Sequence, residues 1–246
     1  MFVRLPSSLL PAISLLLALL IAASPAQAGD FVGSVQLTSD YFWRGYTKSA
    51  GDPSWQVNSE YVTDSGAYAG LWVAQVDFNR PGGNGNQTEL TPYVGYSFQS
   101  DTDWVLDLQL ARYVYNPDIF NTDADYNEYY AFLHYRDYWT FELSVADDAY
   151  NRDANPVNFQ VNGRYPLGPK SNLSAGAGYY RYRAFNDYDY LYWNVGYSRS
   201  LSRSLALDLR YFGDRRTLEQ NFLRHLGVSG QVPRTQRLVL TFSWSY

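Results

Sequence analysis

The chain has no cysteine, only two lysines, Lys48 and Lys170, and a single long apolar run. Without cysteine there is no disulfide, no thiolate metal ligand and no cysteine nucleophile. The 19 basic and 24 acidic residues give a net charge of -5, which argues against a nucleic-acid partner. A mean hydropathy of -0.36 excludes a helical membrane protein. Aromatic residues, by contrast, are abundant and make up 18% of the chain.

The apolar run lies at the N-terminus. Arg4 precedes apolar residues over 15–23, and the small-residue sequence Ala26-Gln27-Ala28 follows. The run is far shorter than the ~20 residues that span a bilayer, so the pattern indicates a secretory signal peptide rather than an anchor. We therefore expect cleavage after Ala28, with residues 1–28 removed and 29–246 forming one domain outside the cytoplasm.

From Asp30 onward, polar and apolar residues alternate with a period of two, which is typical of strands with one polar and one apolar face. The alternation predicts about twelve strands, near 32–44, 55–63, 67–78, 88–98, 104–115, 126–135, 138–147, 156–165, 172–182, 188–198, 204–213 and 235–246.

The connections between these segments alternate between short and long, with 183–187 as the one short member of the long set. An outer-membrane barrel has this arrangement, because its periplasmic turns are short and its extracellular loops are longer. The sequence thus predicts an all-β fold, a closed antiparallel transmembrane β-barrel of about twelve strands in the bacterial outer membrane. The alternative is a secreted β-sandwich, which would bury these apolar faces against a second sheet.

Aromatic residues on the apolar faces are expected at the strand ends, where amphipathic rings favour the boundary between lipid and water. The predicted periplasmic girdle is Tyr61, Tyr68, Trp104, Tyr135, Trp139, Tyr165, Tyr197 and Trp244. The predicted extracellular girdle is Trp43, Trp55, Phe78, Tyr129 and Tyr211.

The opposite faces are hydrophilic and carry charges of both signs. Residues expected to line the lumen are Asp40, Arg44, Glu60, Asp77, Asp107, Glu128, His134, Glu142, Arg164, Asp208, Arg210 and Arg237. They could line a narrow pore for passive diffusion of small hydrophilic solutes. Alternatively, they could pair with one another and close the interior of a structural or surface-interaction barrel. Because most strands lack large apolar residues on this face, we favour the pore.

Catalysis and metal binding have little support. A barrel hydrolase needs a nucleophile, a base and an orienting group, but the chain has only His134 and His225, and His134 should lie opposite the region of Thr140. The acidic stretch that begins at Asp123 lacks the glycine and the final glutamate of a calcium loop. We therefore expect no catalytic residue, no metal and no cofactor.

The last long loop and the last strand carry their own signals. Thr217 with Gln220 forms a capping-box pattern, which predicts a short lid helix across the barrel mouth with the apolar stripe Leu218, Phe222, Leu223 and Leu226. Packing of this stripe against neighbouring loop residues is the alternative. Phe242, Trp244 and Tyr246 on the last strand are the predicted C-terminal signal for the barrel-assembly machinery. The other expected partners are outer-membrane lipid and lipopolysaccharide.

The stretch Ser39-Asp40-Tyr41-Phe42-Trp43-Arg44-Gly45, followed by Gly51-Asp52-Pro53, resembles the opening motif of the TorF family of proteobacterial outer-membrane porins. Pro92-Tyr93-Val94-Gly95-Tyr96 and the closing strand are also similar. The chain departs from the motif at Trp43, where the family has phenylalanine, and at Lys48, where it has glutamine. The resemblance implies a barrel with a channel role, and brings no established substrate and no catalytic residues.

Overall fold

A computed structural model describes residues 29–78, 87–116, 119, 123–182, 189–214 and 236–246. The predicted signal peptide and the proposed lid helix, with Leu218, Phe222, Leu223 and Leu226, lie outside these residues. The strands are β1 (Gly29–Thr38), β2 (Phe42–Trp43), β3 (Tyr46–Thr47), β4 (Ser54–Thr63), β5 (Ala67–Val76), β6 (Gln87–Gln99), β7 (Trp104–Asn116), β8 (Tyr126–Tyr135), β9 (Trp139–Asp147), β10 (Val157–Gly168), β11 (Ser171–Arg181), β12 (Tyr190–Ser200), β13 (Leu205–Asp214) and β14 (Arg237–Ser245).

Twelve of these strands close into an antiparallel barrel, in the order β1, β4 and then β5 to β14 in sequence. β1 pairs with β4 on one side and with β14 on the other, so this sheet has no free edge. The predicted closed twelve-strand barrel is therefore confirmed. No helix among the described residues has the length and apolar character needed to cross a membrane.

The alternation in the sequence becomes an apolar outside and a polar inside. On β7, Leu106, Leu108 and Leu110 point outward and are about 40% exposed, while Asp107 and Gln109 between them point inward. Exposed aromatic side chains confirm seven predicted girdle positions: Trp55, Trp104, Tyr129, Trp139, Tyr165, Tyr197 and Trp244. A closed apolar surface of this kind faces lipid rather than water.

Two predicted girdle residues, Tyr68 on β5 and Phe78 just after it, point inward instead. The Tyr68 hydroxyl donates a hydrogen bond to Asp107 Oδ1 (2.5 Å), and the Phe78 ring lies 5.7 Å from that of Tyr115. The segment Ala67–Val76 has apolar side chains on both faces, so its alternation does not indicate which face meets lipid.

The first predicted strand is also corrected. β1 ends at Thr38, not near residue 44, and residues 39–53 turn into the barrel; we call this segment the inward loop. Its Trp43 is therefore inside the barrel, with its ring 6.3 Å from that of Tyr180, and is not a girdle residue. Asp40 and Arg44 are inside as predicted, but they lie on the loop and not on the wall.

The seam between the first and last strands is short. It pairs Ser34–Thr38 with Thr241–Ser245, five positions against ten between β1 and β4. The C-terminal residue extends it, since the Tyr246 N–H donates to the Gly33 carbonyl (3.1 Å) and the Tyr246 backbone oxygen accepts from the Gly33 N–H (3.3 Å).

Deleting Tyr246 should impair barrel closure, because it removes both of these backbone bonds and a ring from the outer face. We expect a smaller fraction of folded protein, measured as the species whose gel mobility changes on boiling. The variant Tyr246→Phe keeps the backbone bonds and the ring and should fold like the parent chain. Equal folded fractions for the deletion and the parent would contradict the prediction.

Candidate functional site

The inward loop contains a β-hairpin. β2 pairs with β3 through Phe42 with Thr47 and Trp43 with Tyr46, which leaves Arg44 and Gly45 as a two-residue turn. Both have positive φ, 43° and 82°, as a type I′ turn requires. Glycine adopts this conformation readily, whereas arginine seldom does. The hairpin thus carries an arginine at its tip.

The base of the hairpin is organised by Asp40. Its Oδ1 accepts hydrogen bonds from the hydroxyls of Thr47 (2.5 Å) and Ser49 (3.1 Å), and its Oδ2 lies 3.6 Å from Nε of Arg237 on β14. Outside the hairpin, the Asp77 N–H donates to the Lys48 carbonyl (2.8 Å). The predicted lumen residues Asp40 and Arg237 therefore anchor the inward loop to the wall through their side chains, and Asp77 does so through its backbone N–H.

The tip is held by Arg44, which reaches across to β8 and β9. Its guanidinium contacts Glu128 Oε1 (2.6 Å) and Glu142 Oε1 (2.9 Å) and donates to the Ser144 hydroxyl (2.6 Å). It also stacks on Trp43, 4.1 Å from the ring centroid. Three predicted lumen residues, Arg44, Glu128 and Glu142, thus meet in one buried cluster.

The charge on Arg44 is maintained although its side chain is only 2% exposed. Burial by itself lowers the pKa of the guanidinium, but the Glu128 carboxylate acts against this most strongly, and the pKa lies well above its usual value. Removing one partner of such a buried pair costs about 3–5 kcal/mol, because the other charge remains buried without compensation.

A second buried pair lies beside the first. Lys48 Nζ is 2.5 Å from Glu89 Oε2, and both side chains are fully buried. The hydroxyls of Tyr115 (2.9 Å) and Tyr41 (3.1 Å) also donate to the Glu89 carboxylate. Lys48 and Glu89 are not among the predicted site residues. The sequence held a sign of the role of Lys48, since it is one of only two lysines and replaces the glutamine that the motif has at this position.

Tyrosines fill much of the space around the hairpin, contrary to the expected lack of large inward residues. Tyr190 donates to the Arg44 carbonyl (2.9 Å), and Tyr113 stacks on Tyr126 at 4.7 Å. The buried tyrosines of the wall are Tyr93, Tyr113, Tyr115, Tyr126, Tyr180, Tyr190 and Tyr192. They recur at alternate positions on the polar faces of the strands. This pattern in the sequence could have predicted that tyrosine rings pack inside the barrel.

The periplasmic half is more open. A cavity of about 400 Å³ is lined there by Thr140, Asn162, Arg164, Ser174 and Arg210, among others. A second cavity of about 250 Å³ lies between Tyr41 of the inward loop and the wall residues Trp72 and Thr91. The hairpin therefore narrows the lumen without filling it.

The remaining predicted lumen residues lie on the wall. Arg210 Nε donates to Asp208 Oδ1 (3.1 Å), and His134 Nδ1 lies 3.0 Å from the Thr140 hydroxyl, opposite Thr140 as predicted. Glu60 and Arg164 follow the inward alternation of β4 and β10. Within the described ranges, no group of three or more acidic or histidine side chains could hold a metal ion.

The comparisons with known proteins agree with this architecture. The profile of a family described as "Bacterial protein of unknown function (Gcw_chp)" matches residues 22–228. The fold is similar to the KdgM porin, with a TM-score of 0.53 and 5% identity over 87% of this chain and 99% of that one. It is similar to the NanC porin, with a TM-score of 0.51 and 9% identity over 88% and 99%. The KdgM porin in complex with disordered oligogalacturonate matches at a TM-score of 0.52 and 8% identity, over 88% of this chain and 99% of that one. No curated protein matches the chain.

Replacing Arg44 with alanine should release the hairpin, because Glu128 and Glu142 would stay buried without their cation. Lys48 is fully buried in the parent chain, so trypsin should cut after it only in the variant. Fragment masses after limited digestion of the folded barrel provide the measurement. The control is Arg136→Ala, which removes an exposed pair with Asp103 and should leave Lys48 protected. Continued protection of Lys48 in the Arg44 variant would show that the ion pair does not hold the hairpin.

Proposed function

The chain belongs to the bacterial family Gcw_chp and has the barrel fold and apolar belt of a porin in the outer membrane, and from this premise we propose that it is a channel. The channel conducts small hydrophilic solutes by passive diffusion, and the inward loop forms its constriction. We also propose that it is one of the TorF porins. The motif that carries the resemblance, Ser39 to Gly45, is the segment that enters the lumen and forms the tip of the hairpin.

The observation that carries the proposal is the presence of two cavities, beside and below the hairpin. A barrel of eight strands has an interior that side chains can fill, whereas barrels of 16–18 strands enclose wide channels. In this twelve-strand barrel, an inserted hairpin takes up part of the excess width. The cavities of about 400 and 250 Å³ are space inside the barrel that the hairpin leaves unfilled.

A second function is a structural or surface-interaction barrel with a closed interior. The observation that favours it is the complete pairing of Lys48 with Glu89 and of Arg44 with Glu128, both buried. Satisfied buried pairs of this kind stabilise one arrangement of a network. This alternative differs from the channel in a measurable way, because it requires that the native protein not conduct.

The partners of the proposed channel follow from its surface. The outward belt contacts lipid and lipopolysaccharide, and Phe242, Trp244 and Tyr246, which are exposed on the outer face, provide the signal for the barrel-assembly machinery. A passive channel needs no catalytic residue, metal or cofactor, and we propose none. The oligogalacturonate belongs to KdgM, and for this chain we propose only small hydrophilic solutes.

In a planar bilayer, the purified protein should show small, discrete conductance steps, because the hairpin narrows the lumen. Arg44→Ala should raise the single-channel conductance, since a released hairpin leaves a wider path. Arg136→Ala, outside the lumen, should conduct like the parent chain. Silence of both the parent protein and the Arg44 variant would contradict the channel and favour the closed barrel.

Deleting residues 218–226 tests the proposed lid. If Leu218, Phe222, Leu223 and Leu226 form a helix across the mouth, its removal should give larger or longer openings in the same recording. A matched variant replaces the four apolar residues with serine at constant loop length. Unchanged openings in both variants would show that the stripe packs elsewhere.

A further inference from the structure

Two carboxylates and two arginines in the periplasmic half of the lumen lie on opposite walls. The carboxylates Glu60 and Asp107 lie on β4 and β7, and the arginines Arg164 and Arg210 lie on β10 and β13. Each is within five residues of the periplasmic end of its strand. In the ring of twelve strands, β10 is six places from β4 and β13 is six places from β7. The two signs therefore face each other across the lumen.

The charges on the β4–β7 side are not neutralised locally. Asp107 accepts hydrogen bonds from the hydroxyls of Tyr68 and Ser97, which are neutral groups. Within the described part of the chain, neither Asp107 nor Glu60 forms an ion pair. This side of the lumen thus carries two uncompensated negative charges.

The opposite side carries charges of both signs, and its carboxylates are paired. Glu142 on β9 contacts Arg44 at 2.9 Å. Arg210 is paired with Asp208 at 3.0 Å, so these two residues contribute little net charge. Arg164 has no ion pair among the described residues, and it lines the cavity of about 400 Å³ together with Asn162 and Ser174. Arg164 is therefore the main source of positive potential on this wall.

We propose that this separation of charge makes the channel selective for small zwitterions, a proposal that rests on the proposed channel function. Low-dielectric walls focus the field across a narrow lumen. A solute with an ammonium group and a carboxylate can turn its ammonium toward Glu60 and Asp107 and its carboxylate toward Arg164. A neutral solute gains nothing, and an ion of one sign is repelled from one wall.

The test is solute uptake into proteoliposomes that contain the full chain, measured as the rate at which the proteoliposomes swell. γ-Aminobutyrate is the zwitterionic probe and erythritol is a neutral probe of similar size. We expect γ-aminobutyrate to enter at least about threefold faster, which corresponds to roughly 0.65 kcal/mol. Arg164→Glu alone should abolish this ratio, because it leaves negative charge on both walls. Glu60→Arg alone should also abolish it, because the new cation cancels the charge of Asp107 on the same wall.

In a chain that already carries Asp107→Asn, the double variant Glu60→Arg with Arg164→Glu exchanges the two remaining charges and should restore the preference, because a zwitterion can reverse its orientation. Arg136→Glu alters an exposed turn residue, paired with Asp103, and should leave the ratio unchanged. Erythritol uptake reports whether each variant forms an open barrel. Erythritol uptake without a zwitterion preference, or a double variant that stays unselective, would overturn this inference alone. Absence of uptake of either solute by the parent chain would overturn the channel function as well.

Discussion

The pairing of buried charge is the constraint on which the interior of this protein depends. Arg44 and Lys48 enter the lumen on a loop, and each lies there beside a carboxylate on the wall, because a buried charge without a partner is costly. Glu128, Glu142 and Glu89 provide these carboxylates from β8, β9 and β6. The position of the loop, the packing of tyrosines around it and the width of the remaining path all follow from these contacts.

The two halves of the lumen differ in how their charged side chains are arranged. Around the hairpin, buried charges pair directly and tyrosine hydroxyls add hydrogen bonds, as at Glu89. Toward the periplasm, Glu60 and Asp107 lie on the wall opposite Arg164, and none of these three forms an ion pair with another described residue. The half around the hairpin thus holds the inward loop in one arrangement, while the periplasmic half presents an electrostatic potential to a solute that enters the lumen.

Most of the wall could be predicted from the sequence, and the hairpin could not. On β7, leucines alternate with Asp107 and Gln109, so the face toward lipid is evident. On β5, both faces are apolar, so the sequence does not show which face meets lipid, and the predicted orientation of Tyr68 is wrong. Residues 39–44 continue the alternation of β1, so the sequence predicts them to be part of a wall strand. Arg44 contacts partners 84 and 98 positions away, and no local pattern reports a contact of that range.

The turn at the tip of the hairpin has a consequence for the order in which local structure forms. Asparagine or glycine would suit the positive φ at position 44 better than arginine, but neither could reach Glu128. Two strands of two residues each have almost no stability of their own. As an isolated peptide, this segment would populate many conformations. The wall therefore acts as the template on which the hairpin folds, and the motif becomes a structure only inside the barrel.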